Sequence, residues 1–120
     1  MSDMVIVEGE VIHGAKLGRQ MGFPTANMEV GGADVENGVY LSSVEIDGRE
    51  WKAMSNVGVR PSVDGKCRLL ETHIFDFVGD LYGRTLQVKL LCKVRDEKKF
   101  SSVEELKSQL VIDFEQIRSM

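Results

Sequence analysis

The chain has 120 residues, enough for one domain with a modest core. A hydrophobic share of 42% and a charged share of 28% are those of an ordinary globular protein, and 15 basic against 19 acidic side chains give a net charge of −4. That balance excludes a general binder of nucleic acid or membrane surfaces, which would carry a basic excess, but leaves room for a local pocket that takes an anion.

The opening MSDMVIVEGEV has neither the basic segment nor the long apolar run of a signal peptide. No apolar stretch approaches the ~20 residues of a membrane span. Met4–Gly14 is short and β-branched and reads as a strand that stops at Gly14. Gly14 to Gly22 is a loop carrying three glycines, Gly14, Gly18 and Gly22. These would let a backbone approach phosphate closely, with Lys16 and Arg19 supplying charge. Pro24-Thr25-Ala26-Asn27 follows as an extended segment, because Pro24 fixes its own φ and biases Phe23 away from the helical region. Residues two apart on an extended chain share a face. Thr25 and Asn27 would then present a hydroxyl and an amide carbonyl together, hard oxygens suited to Mg²⁺ when phosphates and waters complete its shell. Phosphate with magnesium points to a nucleoside triphosphate. On spacing alone, a glycine-rich turn leading into a strand outweighs this reading.

Gly38–Ile46 and Arg49–Val59 are apolar-rich strands on either side of Asp47-Gly48, a two-residue hairpin signal. Arg60–Lys66 reads as a turn, with Pro61 and Asp64-Gly65 as breakers. Cys67–Phe77 is a strand with Glu71 and His73 on one face and Thr72 and Ile74 on the other. Facing a pocket, Glu71 could act as a general base; facing solvent, the pair is a weak surface interaction. Cys67 and Cys92 are the only cysteines. They form no C-x-x-C pair and read as reduced thiols packed in strands, in keeping with a cytoplasmic setting. With His13 and His73 they match no zinc motif. Val78–Gly83 is a tight connection to the last strand, Arg84–Arg95, in which Leu86, Val88, Leu90, Cys92 and Val94 alternate against Thr85, Gln87, Lys89 and Lys93. Ser102-x-x-Glu105 fits a capping box. Val103, Leu106, Leu110, Phe114 and Ile117 then recur at helical spacing. Five or six antiparallel strands and one helix predict a single domain over residues 1–120, a small closed or nearly closed barrel with the helix packed on it.

Five segments in order, "GEVIHGAKLGRQMGFPTAN", "GVY", "NVGVRPS", "ETHIFDFVGDLYG" and "KVRDEKKFSSVEELKSQLVIDFE", resemble the riboflavin kinase (flavokinase) family and cover nearly the whole chain. The resemblance implies a mainly β fold, a six-stranded antiparallel Greek-key barrel with a C-terminal α-helix. It also implies transfer of the ATP γ-phosphoryl group to the ribityl 5′-hydroxyl of riboflavin, giving FMN, with Mg²⁺ and with Mn²⁺ or Zn²⁺ left open. By position in the motifs, Thr25 and Asn27 would contact the metal and the nucleotide phosphates. Gly14, Lys16 and Arg19 would belong to a flap over ATP, and Tyr82 would border the nucleotide. Glu71 would be the catalytic base, with His73 a supporting neighbour. Arg95, Lys98, Phe100 and Ser102 would form the flavin side. Each has a plainer alternative: a solvated basic patch for Arg95 and Lys98, a helix cap for Ser102, a core-edge ring for Tyr82, a hydrophobic staple for Phe100. Two departures stand out: Asp96 replaces a proline common in relatives, which should loosen the flavin-side loop, and the His13–Arg19 loop is short. Many bacterial relatives also carry an adenylyltransferase domain. None is expected here, so the chain is a stand-alone kinase or an excised domain, and FAD synthesis is not expected. The expected protein is a cytoplasmic monomer that binds riboflavin and ATP and neither nucleic acid nor membrane. A flavin- or nucleotide-binding sensor barrel without activity is the alternative; intact Thr25, Asn27 and Glu71 weigh against it.

Overall fold

The computed structural model describes residues 4–12, 25–31, 33–62 and 65–120. Among them, six strands, β1 (Val5–Glu10), β2 (Ala26–Glu29), β3 (Gly38–Ile46), β4 (Arg49–Ser62), β5 (Gly65–Ile74) and β6 (Thr85–Arg95), precede one helix, α1 (Val103–Arg118). Every pairing is antiparallel, in the order β1-β6-β3-β4-β5-β2. The ends of that order meet: Ile12, just beyond β1, bridges Asn27 of β2, its N–H donating to the Asn27 carbonyl at 2.8 Å. The sheet is thus a nearly closed barrel. The β2–β3 and β5–β6 connections join strands that are not neighbours, as in a Greek key. Among the described residues no helix is long and apolar enough to cross a membrane.

Strand alternation divides each strand between barrel interior and outer face. Inward lie Val7, Met28, Val44, Ala53, Val57, Leu70, Leu86, Val88 and Leu90, all buried. Three buried hydroxyls run through this core: Ser42 Oγ lies 2.7 Å from Ser55 Oγ, which lies 2.8 Å from Thr72 Oγ1. A hydroxyl both donates and accepts, so such a chain satisfies groups that would otherwise be costly to bury.

The β3–β4 hairpin turns where Asp-Gly predicts it. Asp47 and Gly48 both have positive φ, 52° and 84°, the two-residue turn whose twist matches the flanking strands. The Arg60–Lys66 turn is shorter than expected. Strand β4 runs on to Ser62, with Arg60 opposite Cys67 and Ser62 opposite Gly65, because the proline sits near the strand end where its missing N–H is tolerated. A second difference lies in β6. Its register against β3 shifts between Leu41 and Ser42 and again between Val39 and Tyr40. Each bulge adds a residue and reverses the faces beyond it. Leu90 therefore points inward, whereas Val94 packs with the outer cluster under the helix, and a single apolar face along Leu86–Val94 is not formed. Cys67 and Cys92 are free and half-buried.

Helix α1 covers Val39, Met54 and Phe75 on the barrel's outer face with Leu110, Phe114 and Ile117. Val103 is half exposed, so the apolar stripe is buried only along its C-terminal part. Ser102 is the N-cap, its Oγ accepting from the Glu105 N–H at 3.1 Å. The Glu105 carboxylate accepts instead from Ser101 Oγ at 2.6 Å. Lys52 on β4 donates to the carbonyls of Arg118 and Met120, each at 2.9 Å, a cation at the helix end where carbonyls are unpaired. At mid-helix, Asp113, 1% exposed, accepts both arms of the Arg95 fork at 2.9 and 2.6 Å and a third bond from Gln109 at 2.9 Å.

Breaking a buried pair strands its partner charge. Asp113→Ala is expected to lower unfolding free energy by roughly 3 kcal/mol in urea titrations. A loss below about 1 kcal/mol would mean that Arg95 finds other partners at little cost.

Candidate active site

Directly opposed residues of antiparallel strands point to the same face. Asn27 on β2 is opposite Glu71 on β5; Glu71 is opposite Asn56 on β4; Asn56 is opposite Val39 on β3; Val39 is opposite Arg95 on β6. These five residues make one transverse row on the barrel's outer face. Residues assigned from sequence to metal (Asn27), base (Glu71) and flavin (Arg95) therefore share a line although they are far apart in the chain.

At one end, Thr25 immediately precedes β2 and is half-buried. Asn27 is 6% exposed; its Nδ2 donates to the Thr25 carbonyl at 3.5 Å, while its Oδ1 is buried without a hydrogen-bond partner. A buried amide oxygen that accepts nothing is costly unless something else fills the role. Two residues from Thr25 and one strand from a carboxylate, it is a neutral hard donor that fits a Mg²⁺-like cation. Among the described residues no group of three or more His, Cys, Asp and Glu gathers as a metal cage, so a cation here would draw on these neutral oxygens. Asn56, on the other side of Glu71, also has a buried Oδ1 without a partner.

Glu71 is held from one side. Arg60 Nε donates to its Oε1 at 2.7 Å, and the side chains are 31% and 22% exposed respectively. Arg60 Nη1 donates to Glu97 Oε1 at 2.7 Å and to the Val59 carbonyl at 3.0 Å. Burial works against the Arg60 charge, but the Glu97 hydrogen bond and the two carboxylate charges outweigh it and hold its pKa above the ordinary value. His73, two residues along the same face, packs its ring against Phe75 and Phe114 at 5.5 and 5.7 Å between centroids. Its contacts tie β5 to the helix.

On the side that the sequence reading gives to flavin, Arg95 is bound to Asp113, with Nη1 donating to the Asp96 carbonyl at 2.9 Å. Asp96, standing where a proline is common, pairs with Lys93 at 2.6 Å; that hydrogen bond, then the lysine charge, lowers its pKa. A side-chain tether thus takes the place of a ring at this turn. Lys98 is exposed, Phe100 half-buried, and Ser102 exposed at the helix cap. Tyr82 is 54% exposed and stands off the row. Its neighbour Gly83 donates to the Val11 carbonyl at 2.9 Å, one residue before the Ile12–Asn27 bridge. Gly14, Lys16 and Arg19 lie outside the described residues.

Three residues of this site lie in the quoted segments but receive no role from sequence: Asn56, Arg60 and Glu97. The first two lie in "NVGVRPS", and the alternation of β4 already places both on one face two positions either side of Gly58. Glu97 gives no such signal, since it sits in the irregular segment after β6.

Comparisons with known proteins bear on this arrangement. A bifunctional riboflavin kinase/FMN adenylyltransferase of Pseudomonas fluorescens is 47% identical over an alignment of 117 residues that covers 95% of this chain and 37% of the relative. The chain thus spans little more than a third of that relative. A structure from Streptococcus pneumoniae described as a macrolide-efflux protein superposes with a TM-score of 0.84 at 39% identity, covering 96% of this chain and 38% of that one. A riboflavin kinase structure from Trypanosoma brucei superposes with a TM-score of 0.62 at 20% identity, covering 99% of this chain and 80% of that one, a likeness of fold. The profile of the family described as "Flavokinase: Riboflavin kinase" matches residues 1–120; the chain belongs to the riboflavin kinase family.

Proposed function

We propose that this chain transfers the γ-phosphoryl group of ATP to the 5′-hydroxyl of the riboflavin ribityl chain, giving FMN and ADP. The observation that carries this reading is the single row Asn27–Glu71–Asn56–Val39–Arg95. Phosphoryl transfer depends on alignment and charge neutralisation more than on covalent help from the protein. A row with a metal-type oxygen at one end, a carboxylate next to it and a flavin segment at the other end supports such an alignment.

The Thr25 hydroxyl and Asn27 Oδ1 would hold a divalent cation, Mg²⁺ by the hardness of the two oxygens. When bound, that cation neutralises charge on the phosphate oxygens. Glu71 accepts the proton of the ribityl hydroxyl as the oxygen–phosphorus bond forms and the bond to ADP breaks. Its Oε2 serves, since Oε1 is taken by Arg60 and nothing among the described residues bonds Oε2. Asn56 Oδ1 stands ready to accept from a substrate hydroxyl. The flavin lies toward Phe100, with Lys98 near its polar edge. Arg95 and Ser102 shape that side mainly by fixing the 95–102 segment to the helix. Gly14, Lys16, Arg19 and Tyr82 would cover the nucleotide. The same reading makes the protein a cytoplasmic monomer, in keeping with two free thiols.

Purified protein with riboflavin and Mg-ATP should yield FMN by chromatography. Flavin binding without turnover would favour a sensor barrel instead. Glu71→Gln should lower kcat by roughly 10²-fold or more while riboflavin affinity, followed by flavin fluorescence, stays near wild type. A Glu71→Gln enzyme of normal kcat would remove Glu71 from the base role.

Asn27→Ala deletes the unpartnered oxygen. Calorimetry of Mg-ADP binding should then show affinity weakened by about tenfold or more, with metal-free ADP binding little changed. Equal weakening with and without Mg²⁺ would place the cation elsewhere.

A further inference from the structure

Arg60 touches two carboxylates from different parts of the chain. Its Nε donates to Glu71 on β5 and its Nη1 to Glu97 in the segment after β6, both at 2.7 Å. The guanidinium is planar, so two bonds from different nitrogens fix its orientation and the position of both carboxylates. The groups can meet because of Gly58. A Cβ at that position would fall 1.9 Å from Glu97 Oε1 and 2.6 Å from Arg60 Nη1. The missing side chain on β4 is the floor on which the pair lies. Gly58 has no positive φ, so this space, rather than backbone conformation, is what the glycine supplies.

We propose that Arg60 is the positioning residue for Glu71, and that Glu97, seated over Gly58, sets Arg60 from the flavin-side segment. The inference rests on the reading of Glu71 as the base. By holding Oε1, Arg60 fixes the carboxylate plane and turns Oε2 outward to the acceptor hydroxyl. Because Glu97 lies between Arg95 and Phe100, the order of the flavin-side segment reaches the base through one guanidinium. A carboxylate swinging on two side-chain bonds loses much of the benefit of alignment, and misplacement on the order of 1 Å can cost 10²-fold.

The test is steady-state kinetics on Arg60→Gln, Arg60→Lys, Glu97→Gln and Gly58→Ala, each checked for an unchanged urea midpoint. Arg60→Gln should lower kcat by on the order of 10²-fold with KM for Mg-ATP and riboflavin within about twofold. Arg60→Lys, which keeps the charge but can serve one carboxylate at a time, should recover part of that loss. Glu97→Gln and Gly58→Ala should each lower kcat by about tenfold, Gly58→Ala by displacing Glu97 without altering a charge. The decisive measurement combines Arg60→Gln with Glu71→Gln. A residue that acts through Glu71 adds less than about twofold to the loss already made. Multiplied losses, or a raised KM for Mg-ATP with unchanged kcat, would make Arg60 a substrate ligand and overturn the proposal. An active wild type with an unaltered Arg60→Gln kcat overturns this inference alone; a wild type that makes no FMN overturns the kinase reading and this one with it.

Discussion

Antiparallel register is the constraint on which the site depends. Side chains directly opposite each other across a sheet must share a face, so once β2, β5, β4, β3 and β6 are paired, Asn27, Glu71, Asn56, Val39 and Arg95 have no choice but to form a line. Residues separated by dozens of positions in sequence are thereby held at one strand spacing, about 4.8 Å, from their neighbours. The stiffness comes from backbone hydrogen bonds, and the functional side chains add little of their own. The barrel thus spaces the row as a ruler would.

The outer face is then divided by what covers it. Toward the helix it is apolar: Val39, Met54 and Phe75 lie beneath Leu110, Phe114 and Ile117, with His73 against Phe114. Toward β2 it is polar, with two asparagine oxygens and a carboxylate. The boundary falls within the row, between Asn56 and Val39. The helix is fixed by two devices of opposite sign, Asp113 accepting the Arg95 fork and Lys52 donating to main-chain oxygens at the C-terminal end, so the apolar half has a defined depth.

Much of this was legible in the sequence. Strand periodicity, the Asp47-Gly48 hairpin and the Ser102 cap are local, and local signals survive folding. The pairing of Glu71 with His73 on one face followed from alternation alone. What could not be read was whatever depends on an inserted residue or a distant partner. The bulges of β6 reverse the faces beyond Leu90, so Val94 left the stripe that alternation assigned to it. The extension of β4 to Ser62 depends on pairing with β5, which overrides the turn signal of Pro61. Arg60 and Glu97 meet only because β6 lies beyond β3 while Gly58 leaves a gap. The Arg95–Asp113 pair lies between a strand and a helix 18 residues apart in sequence, and no periodicity in either element announces it.

The hydroxyl chain Ser42–Ser55–Thr72 bears on all of this from inside the barrel. Hydrophobic patterning guards a sheet against a slip of one residue, which would turn every side chain over. It is blind to a slip of two, which returns each side chain to its proper face. In the β4–β5 hairpin such a slip would set Ser55 against Leu70 or Ile74 in place of Thr72. It would bury hydroxyls without partners, at about 1–3 kcal/mol each. The same slip would carry Asn56 past Glu71 and break the row. Three small side chains that never meet a substrate thus act as a proofreader of alignment, rejecting the misfold that apolar residues alone would accept.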